Sequence, residues 1–246
     1  MCYGEEARPP VPPVRGPVGD HGDLVLTSAD GTQFGAYYAH PAAGSSEAVV
    51  ILPDVRGLHS FYKELAQRFA EAGLHSVAID YFGRTAGLGG RDEDFRFREH
   101  VEKTEPAQIA EDVGAAVAWL RQQPGVRSVF TVGFCFGGSN SWAQSAARHD
   151  LAGCMGLYGG PARVADLIPM MRSPLLMLAA GEDFTPVEAV EAFAAQARSE
   201  SVTVNLHVFP GAPHGFFDRT FAEHRQACDE AWRQMLSFVD RHSVRE

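Results

Sequence analysis

Five short apolar runs constrain this chain more than anything else in it: AVVIL (48–52), SVAID (76–80), SVFTVGF (128–134), CMGLYG (154–159) and PLLMLAAG (174–181). Each is too short for a helix and lacks the alternation of a half-exposed strand, so each reads as a strand buried on both faces. Between them lie segments of helical period. Phe61, Leu65 and Phe69 fall on one face of FYKELAQRFAEAG, which stops at Gly73, and Ile109, Val113, Val117 and Leu120 share a face of a helix from about Pro106 to Gln122. Further helical stretches start near Gly138, run through VEAVEAFAAQAR and close the chain over about Ala222 to His242. Such alternation specifies an α/β fold with a mainly parallel central sheet flanked by helices on both faces. A hairpin, LVLTS (24–28) and FGAYYAH (34–40) around Ala29-Asp30-Gly31, precedes it. Ligands bind such sheets at the carboxyl ends of the strands, which directs attention to the loops that follow them.

The 246 residues suit one core, and a 45% hydrophobic composition supplies it. Residues 1–22 are rich in proline and have no hydrophobic period, so they read as an N-terminal arm before a domain over 23–246. A net charge of -10 offers no broad positive surface to nucleic acid or anionic lipid, and no apolar run approaches membrane-spanning length. The start, MCYGEEARPP, is charged and unlike a secretory leader, so the expectation is a cytoplasmic monomer or small homo-oligomer. Cys2, Cys135, Cys154 and Cys228 form no CxxC pair, and there is no dinucleotide fingerprint, so neither a metal nor an organic cofactor is expected.

The sharpest local signal is Gly133-Phe134-Cys135-Phe136-Gly137-Gly138, between a buried strand and a helical stretch. This is the form of a nucleophile elbow, in which a sharp strand-to-helix turn presents the nucleophile and small neighbours let the two elements approach. A helix N-terminus lowers a thiol's pKa and favours the attacking thiolate. The chain order of such a fold places an acid and then a histidine after the nucleophile. Asp183, in Gly181-Glu182-Asp183-Phe184-Thr185-Pro186, follows a buried strand, with Glu182 as the competing acid. His214, in Pro210-Gly211-Ala212-Pro213-His214-Gly215-Phe216, follows the strand VTVNLHVFP and precedes the last helix.

The motifs GFCFGG, LYGG, GEDFTP and HGF together resemble the dienelactone hydrolase family, a branch of the α/β-hydrolases with cysteine in place of the usual serine; the likeness runs from about Asp23 to the last helix. The resemblance implies a Cys135, His214, Asp183 triad, with the backbone N–H groups of Phe136 and Val55 as the oxyanion hole. Asp80-Tyr81-Phe82-Gly83-Arg84 is similar to the family's Asp-x-x-x-Arg, whose arginine helps hold a substrate carboxylate, so Arg84 inherits that role. Asp54 stands where the family carries a glutamate that contacts the resting thiol, and it is one methylene shorter. Where the family has an arginine four residues after the histidine, this chain has Asp218, with Arg219 one place later. Arg219, Arg56 and Tyr158 complete the expected substrate contacts.

The reading is a hydrolase that transfers the acyl group of a small ester or lactone to Cys135 and releases it to water. Two others share the scaffold: a lyase, isomerase or cyclase using the same pocket, and a small-molecule binding or receptor module with negligible turnover.

Overall fold

A computed structural model of the chain describes residues 7–92, 94–147, 149–218 and 222–244. The apolar runs become the middle of an eight-stranded sheet. In chain order its strands are β1 (Val18–Thr27), β2 (Gln33–Pro41), β3 (Glu47–Leu52), β4 (His75–Ile79), β5 (Ser128–Phe134), β6 (Gly153–Leu157), β7 (Leu175–Glu182) and β8 (Val204–Pro213). In space they run β1-β2-β4-β3-β5-β6-β7-β8. β2 pairs antiparallel with both β1 and β4, and every pairing from β4 to β8 is parallel. β4, β5 and β6 are buried along their whole length, as strands covered on both faces must be.

The helices are α1 (Ser60–Glu71), α2 (Gly83–Ala86), α3 (Phe97–Val101), α4 (Pro106–Leu120), α5 (Phe136–Ala143), α6 (Val187–Ser199) and α7 (Arg225–His242). They divide the core in two. On one face, Phe61, Leu65 and Phe69 of α1 and Trp232, Met235 and Phe238 of α7 pack with Val49, Ile51, Phe130 and Val132. On the other, Ile109, Val113 and Val117 of α4, Trp142 of α5 and Phe193 of α6 pack with Val50, Leu52, Val129 and Met177. Full burial of each such large side chain contributes about 2–3 kcal/mol, so the sheet is a rigid platform for the loops at its edge.

The N-terminal stretch departs from expectation. β1 begins at Val18, inside the segment read as an arm, because edge pairing with β2 needs no hydrophobic period. Upstream of it, Pro9 and Pro10 are buried, Trp232 Nε1–H donates to the Pro10 carbonyl (3.1 Å), and Gly16 N–H donates to Glu71 (2.7 Å). The glycine-rich, charged loop after β4 also carries the short helices α2 and α3, and α5 begins at Phe136, before the glycine pair that marks it in the sequence.

Candidate active site

The turn from β5 into α5 holds Cys135 at φ 54° and ψ -113°, a conformation that costs a non-glycine residue about 1–3 kcal/mol. Close packing fixes it there. A Cβ on Gly133 would lie 1.8 Å from the Gly137 carbonyl oxygen, and one on Gly137 would lie 2.0 Å from that of Leu52 on β3. Only glycine lets the helix start sit this close to two strands, which is why the elbow reads G-x-C-x-G. Cys135 N–H donates to Leu157 at the end of β6 (3.1 Å), and the thiol is half-buried and so within reach of a ligand.

Asp183 follows β7 and His214 follows β8, which puts both beside the elbow at the carboxyl edge. His214 Nδ1 lies 3.0 and 2.9 Å from the two Asp183 carboxylate oxygens, with side-chain exposures of only 13% and 5%. Cys135 also acts on the imidazole, and its charge when ionised favours the imidazolium. Burial disfavours the imidazolium, but the hydrogen bond to Asp183 and the influence of Cys135 outweigh it and push His214 up to about 9. Glu182 ends β7 with its side chain exposed, so it does not compete for the imidazole.

The loop after β3 closes over the elbow. Asp54 is fully buried: its Oδ1 accepts from Arg56 N–H (2.8 Å) and its own N–H donates to the Tyr62 hydroxyl (3.0 Å). The Tyr81 hydroxyl donates to the Pro53 carbonyl (2.8 Å). Two buried tyrosines thus clamp the loop. Gly57, at φ 74°, packs so tightly that a Cβ would meet Asp80 Oδ1 at 2.6 Å. No acceptor among the described residues takes the N–H of Val55 or of Phe136.

The expected substrate contacts fare unequally. Tyr158, at φ 39° after β6, stands with its ring 5.0 Å from the His214 ring, and its hydroxyl donates to Asp218 (3.2 Å). Asp218 is fully buried. Burial, reinforced by the charges of Asp54 and Cys135, holds it well above the ordinary carboxylate range against the pull of the Tyr158 hydrogen bond. Arg56 is buried next to Asp54. Arg219 lies outside the described residues. Arg84 is not turned to the three residues around the elbow: its guanidinium grips both oxygens of Asp112 on α4 (2.6 and 2.7 Å) and reaches Asp30 (3.0 Å) and Glu111 (3.2 Å). Asp112, which also accepts from Ser28, is almost fully buried, and a buried carboxylate demands such a partner. Arg91, absent from the sequence reading, makes the buried pair with Asp80 (2.8 Å).

Two mouth residues were also missed. The Phe184 ring, 78% exposed, lies 4.2 Å from the His214 ring, and the exposed Arg163 guanidinium stands 5.5 Å over the Phe136 ring. Arg163 has no period or motif to announce it, and Phe184 lies in GEDFTP, which draws attention to its acid and not to its ring. A cavity lined by Tyr158, Gly159 and Asp183 encloses only about 10 Å³, room for about one water. A wider groove of about 580 Å³ is lined by Leu58, His59, Lys63 and Arg91 and by none of Cys135, Asp183 and His214. The chemistry, not the size of the hollow, identifies the site. Among the described residues, no group of three or more His, Cys, Asp or Glu is placed to hold a metal ion, and no helix is long and apolar enough to cross a membrane.

The sequence model of the Dienelactone hydrolase family matches residues 34–243. A carboxymethylenebutenolidase from Pseudomonas putida is 29% identical over 205 residues, spanning 78% of this chain and 84% of that protein. The crystal structure of a dienelactone hydrolase-like promiscuous phosphotriesterase from metagenomic libraries superposes with a TM-score of 0.71 at 23% identity, over 91% of this chain and 99% of that one. An esterase from Pyrococcus furiosus superposes with a TM-score of 0.69 at 16% identity, over 95% of this chain and 100% of the other. At such identities these structures establish the α/β-hydrolase fold alone. With most of its length matched by the family's sequence model, this chain belongs to the dienelactone hydrolase family, the lactone and ester hydrolases of the α/β-hydrolase fold.

Proposed function

We propose that the chain hydrolyses a small ester or lactone through an acyl-enzyme on Cys135, with His214 as acid and base and Asp183 holding the imidazole. The observation that carries this is the position of His214 between the Asp183 carboxylate and the Cys135 thiol, with its pKa pushed up to about 9. Near neutral pH the histidine is then an imidazolium beside the thiol, an arrangement that favours thiolate. The thiolate attacks the substrate carbonyl, and the developing oxyanion meets the N–H groups of Phe136 and Val55. Removing one such donor typically costs about 3–4 kcal/mol of transition-state stabilisation. As the C–O bond breaks, His214 gives its Nε2 proton to the leaving oxygen. Now neutral, it draws a proton from water, which attacks the thioester and releases the acid and the thiolate. The name of the Pseudomonas putida relative, a carboxymethylenebutenolidase, supports a lactone as substrate.

The test is turnover of small activated esters and unsaturated lactones by the wild type and by Cys135→Ala, with intact-mass measurement of the wild type during turnover. Loss of activity in the variant and a transient acyl adduct in the wild type are expected. Equal turnover by both proteins refutes the role of Cys135. Product formation without an adduct or water uptake would make the protein a lyase, isomerase or cyclase, and tight binding without turnover would make it a receptor.

A further inference from the structure

The segment ahead of β1 is built to lie against the protein without a backbone ladder. Pro9, Pro10 and Pro12 are buried, while Val11 and residues 13–17 are exposed. A proline has no N–H to leave unpaired, and its ring fixes φ before folding, so such a segment docks at small cost in entropy. Its carbonyl is the group that needs a partner, and Trp232 on α7 supplies one, Nε1–H donating to Pro10 (3.1 Å). Aromatic-lined surfaces that take proline-rich segments work in the same way. Toward both ends the segment is tied to α1: Arg8 reaches Glu64 (3.4 Å), and Gly16 N–H donates to the Glu71 carbonyl (2.7 Å). It thus straps together α1 and α7, the two helices that cover one face of the sheet.

The residues beneath the strap lead to the elbow. The Trp232 ring is wholly buried, edge-on to Phe69 of α1 at 4.8 Å and 5.7 Å from the ring of Phe217. Phe217 in turn lies 5.6 Å from Phe134, the last residue of β5 and the neighbour of Cys135. Phe217 is also three residues beyond His214, and the backbone there is folded on itself: Phe216 N–H donates to Pro213 and Asp218 N–H to Gly215. One turn before Trp232, the Cys228 thiol donates to the Phe216 carbonyl (3.5 Å). α7 therefore holds both phenylalanines that follow His214, and Phe217 joins the histidine turn to the elbow strand. A close-packed interior passes a displacement on, and a reacting group misplaced by about 1 Å loses about a hundredfold in rate.

We propose that the proline segment, seated on Trp232, sets the position of His214 against Cys135 by way of Phe217. Trp232 and Phe217 are positioning residues, acting through His214. This rests on the reading of Cys135 and His214 as nucleophile and base. It adds a requirement that the triad alone does not contain, a contact between residues 222 apart in the chain.

The experiment compares the wild type with a chain lacking residues 1–12 and with Trp232→Phe, which keeps a ring between Phe69 and Phe217 and removes the donor to Pro10. Each is assayed on a small activated ester well below its melting temperature. Both variants are expected to lose about tenfold or more in kcat, with KM within about twofold of the wild type. In NMR titrations His214 should fall from about 9 toward 6.5, because an imidazole set back from Asp183 and Cys135 loses the groups that hold its proton. A peptide of residues 7–17 added to the truncated chain should restore kcat along a saturable curve, and the same peptide with alanine for its prolines should not. Wild-type kcat in Trp232→Phe would overturn the proposal. So would peptide that binds without restoring kcat, or a kcat loss that follows only the unfolded fraction while His214 still titrates near 9. If the truncated chain does not fold, Trp232→Phe decides. If Cys135→Ala keeps wild-type turnover, the nucleophile reading falls, and the His214 titration still decides the strap.

Discussion

Replacing Asp183 by asparagine should separate two roles that the carboxylate plays at once, orienting the His214 ring and holding its proton. In the wild type, burial works against the imidazolium, but Asp183 and Cys135 together carry it to about 9, against 6.5 for an unperturbed imidazole. The base therefore keeps its proton below about 9 and loses it as pH rises through that value. If the amide lowers the histidine to about 7, the protonated fraction at pH 7 is about 99% in the wild type and about 50% in the variant, and at pH 9 about 50% and about 1%. The variant's deficit from protonation alone thus widens from about twofold to about fiftyfold across two pH units. Lost orientation adds a factor that does not depend on pH. The assay is kcat/KM between pH 6.5 and 9.5 on an ethyl or phenyl ester, because nitrophenolate leaves without needing the proton. A deficit of the same size at pH 7 and pH 9 would show that Asp183 orients the ring without setting its charge.

Three further outcomes follow from the packing. Gly137→Ala drives a Cβ to 2.0 Å from the Leu52 oxygen and 2.3 Å from that of Pro53, both backbone atoms, so urea denaturation should show a loss of about 3 kcal/mol or more; a loss under about 1 would contradict the close approach. Arg84→Ala strips Asp112 of its cation and should destabilise the protein by about 3 kcal/mol while changing kcat/KM for charged and neutral esters by one common factor, whereas a KM effect confined to carboxylates would put Arg84 in the pocket. Asp218 is an acid whose folded pKa lies above 3.8, so the unfolded chain ionises first and the wild type loses stability as pH climbs beyond that point. Asp218→Asn keeps an acceptor for Tyr158 and removes the titration, so its melting temperature should gain on the wild type from pH 4.5 to pH 8; a constant difference would refute the buried, raised carboxyl.

The sequence was most legible where chemistry and backbone geometry demand the same residue types. The order Cys135, Asp183, His214 could be read because each follows a strand of the parallel part of the sheet, and the glycines of GFCFGG because no other residue fits between α5, β3 and β5. Contacts between elements distant in the chain were not legible. Asp112 sits in a helical pattern between Ile109 and Val113, and nothing local says that it will be buried and will claim Arg84 across 28 residues. Tyr62 and Tyr81 look like core aromatics, and only their hydroxyl partners on Asp54 and Pro53 reveal a clamp. Phe184 lies inside a motif noted for its acid, and its exposure could be seen only in three dimensions. The proline-rich start hid an edge strand and a docking contact on Trp232, because prolines restrict a chain without saying what it will lie against.

The backbone at Cys135 has a consequence for the whole molecule. At φ 54° and ψ -113°, glycine is at ease and cysteine is not. Cys135→Gly would relieve about 1–3 kcal/mol of native strain and give back about 1 through the freer unfolded chain, which leaves a net gain of about 1 kcal/mol. The proposed nucleophile is thus a residue the fold would be more stable without. A screen for thermostability alone would tend to remove it, so activity has to be selected alongside heat resistance whenever this chain is engineered.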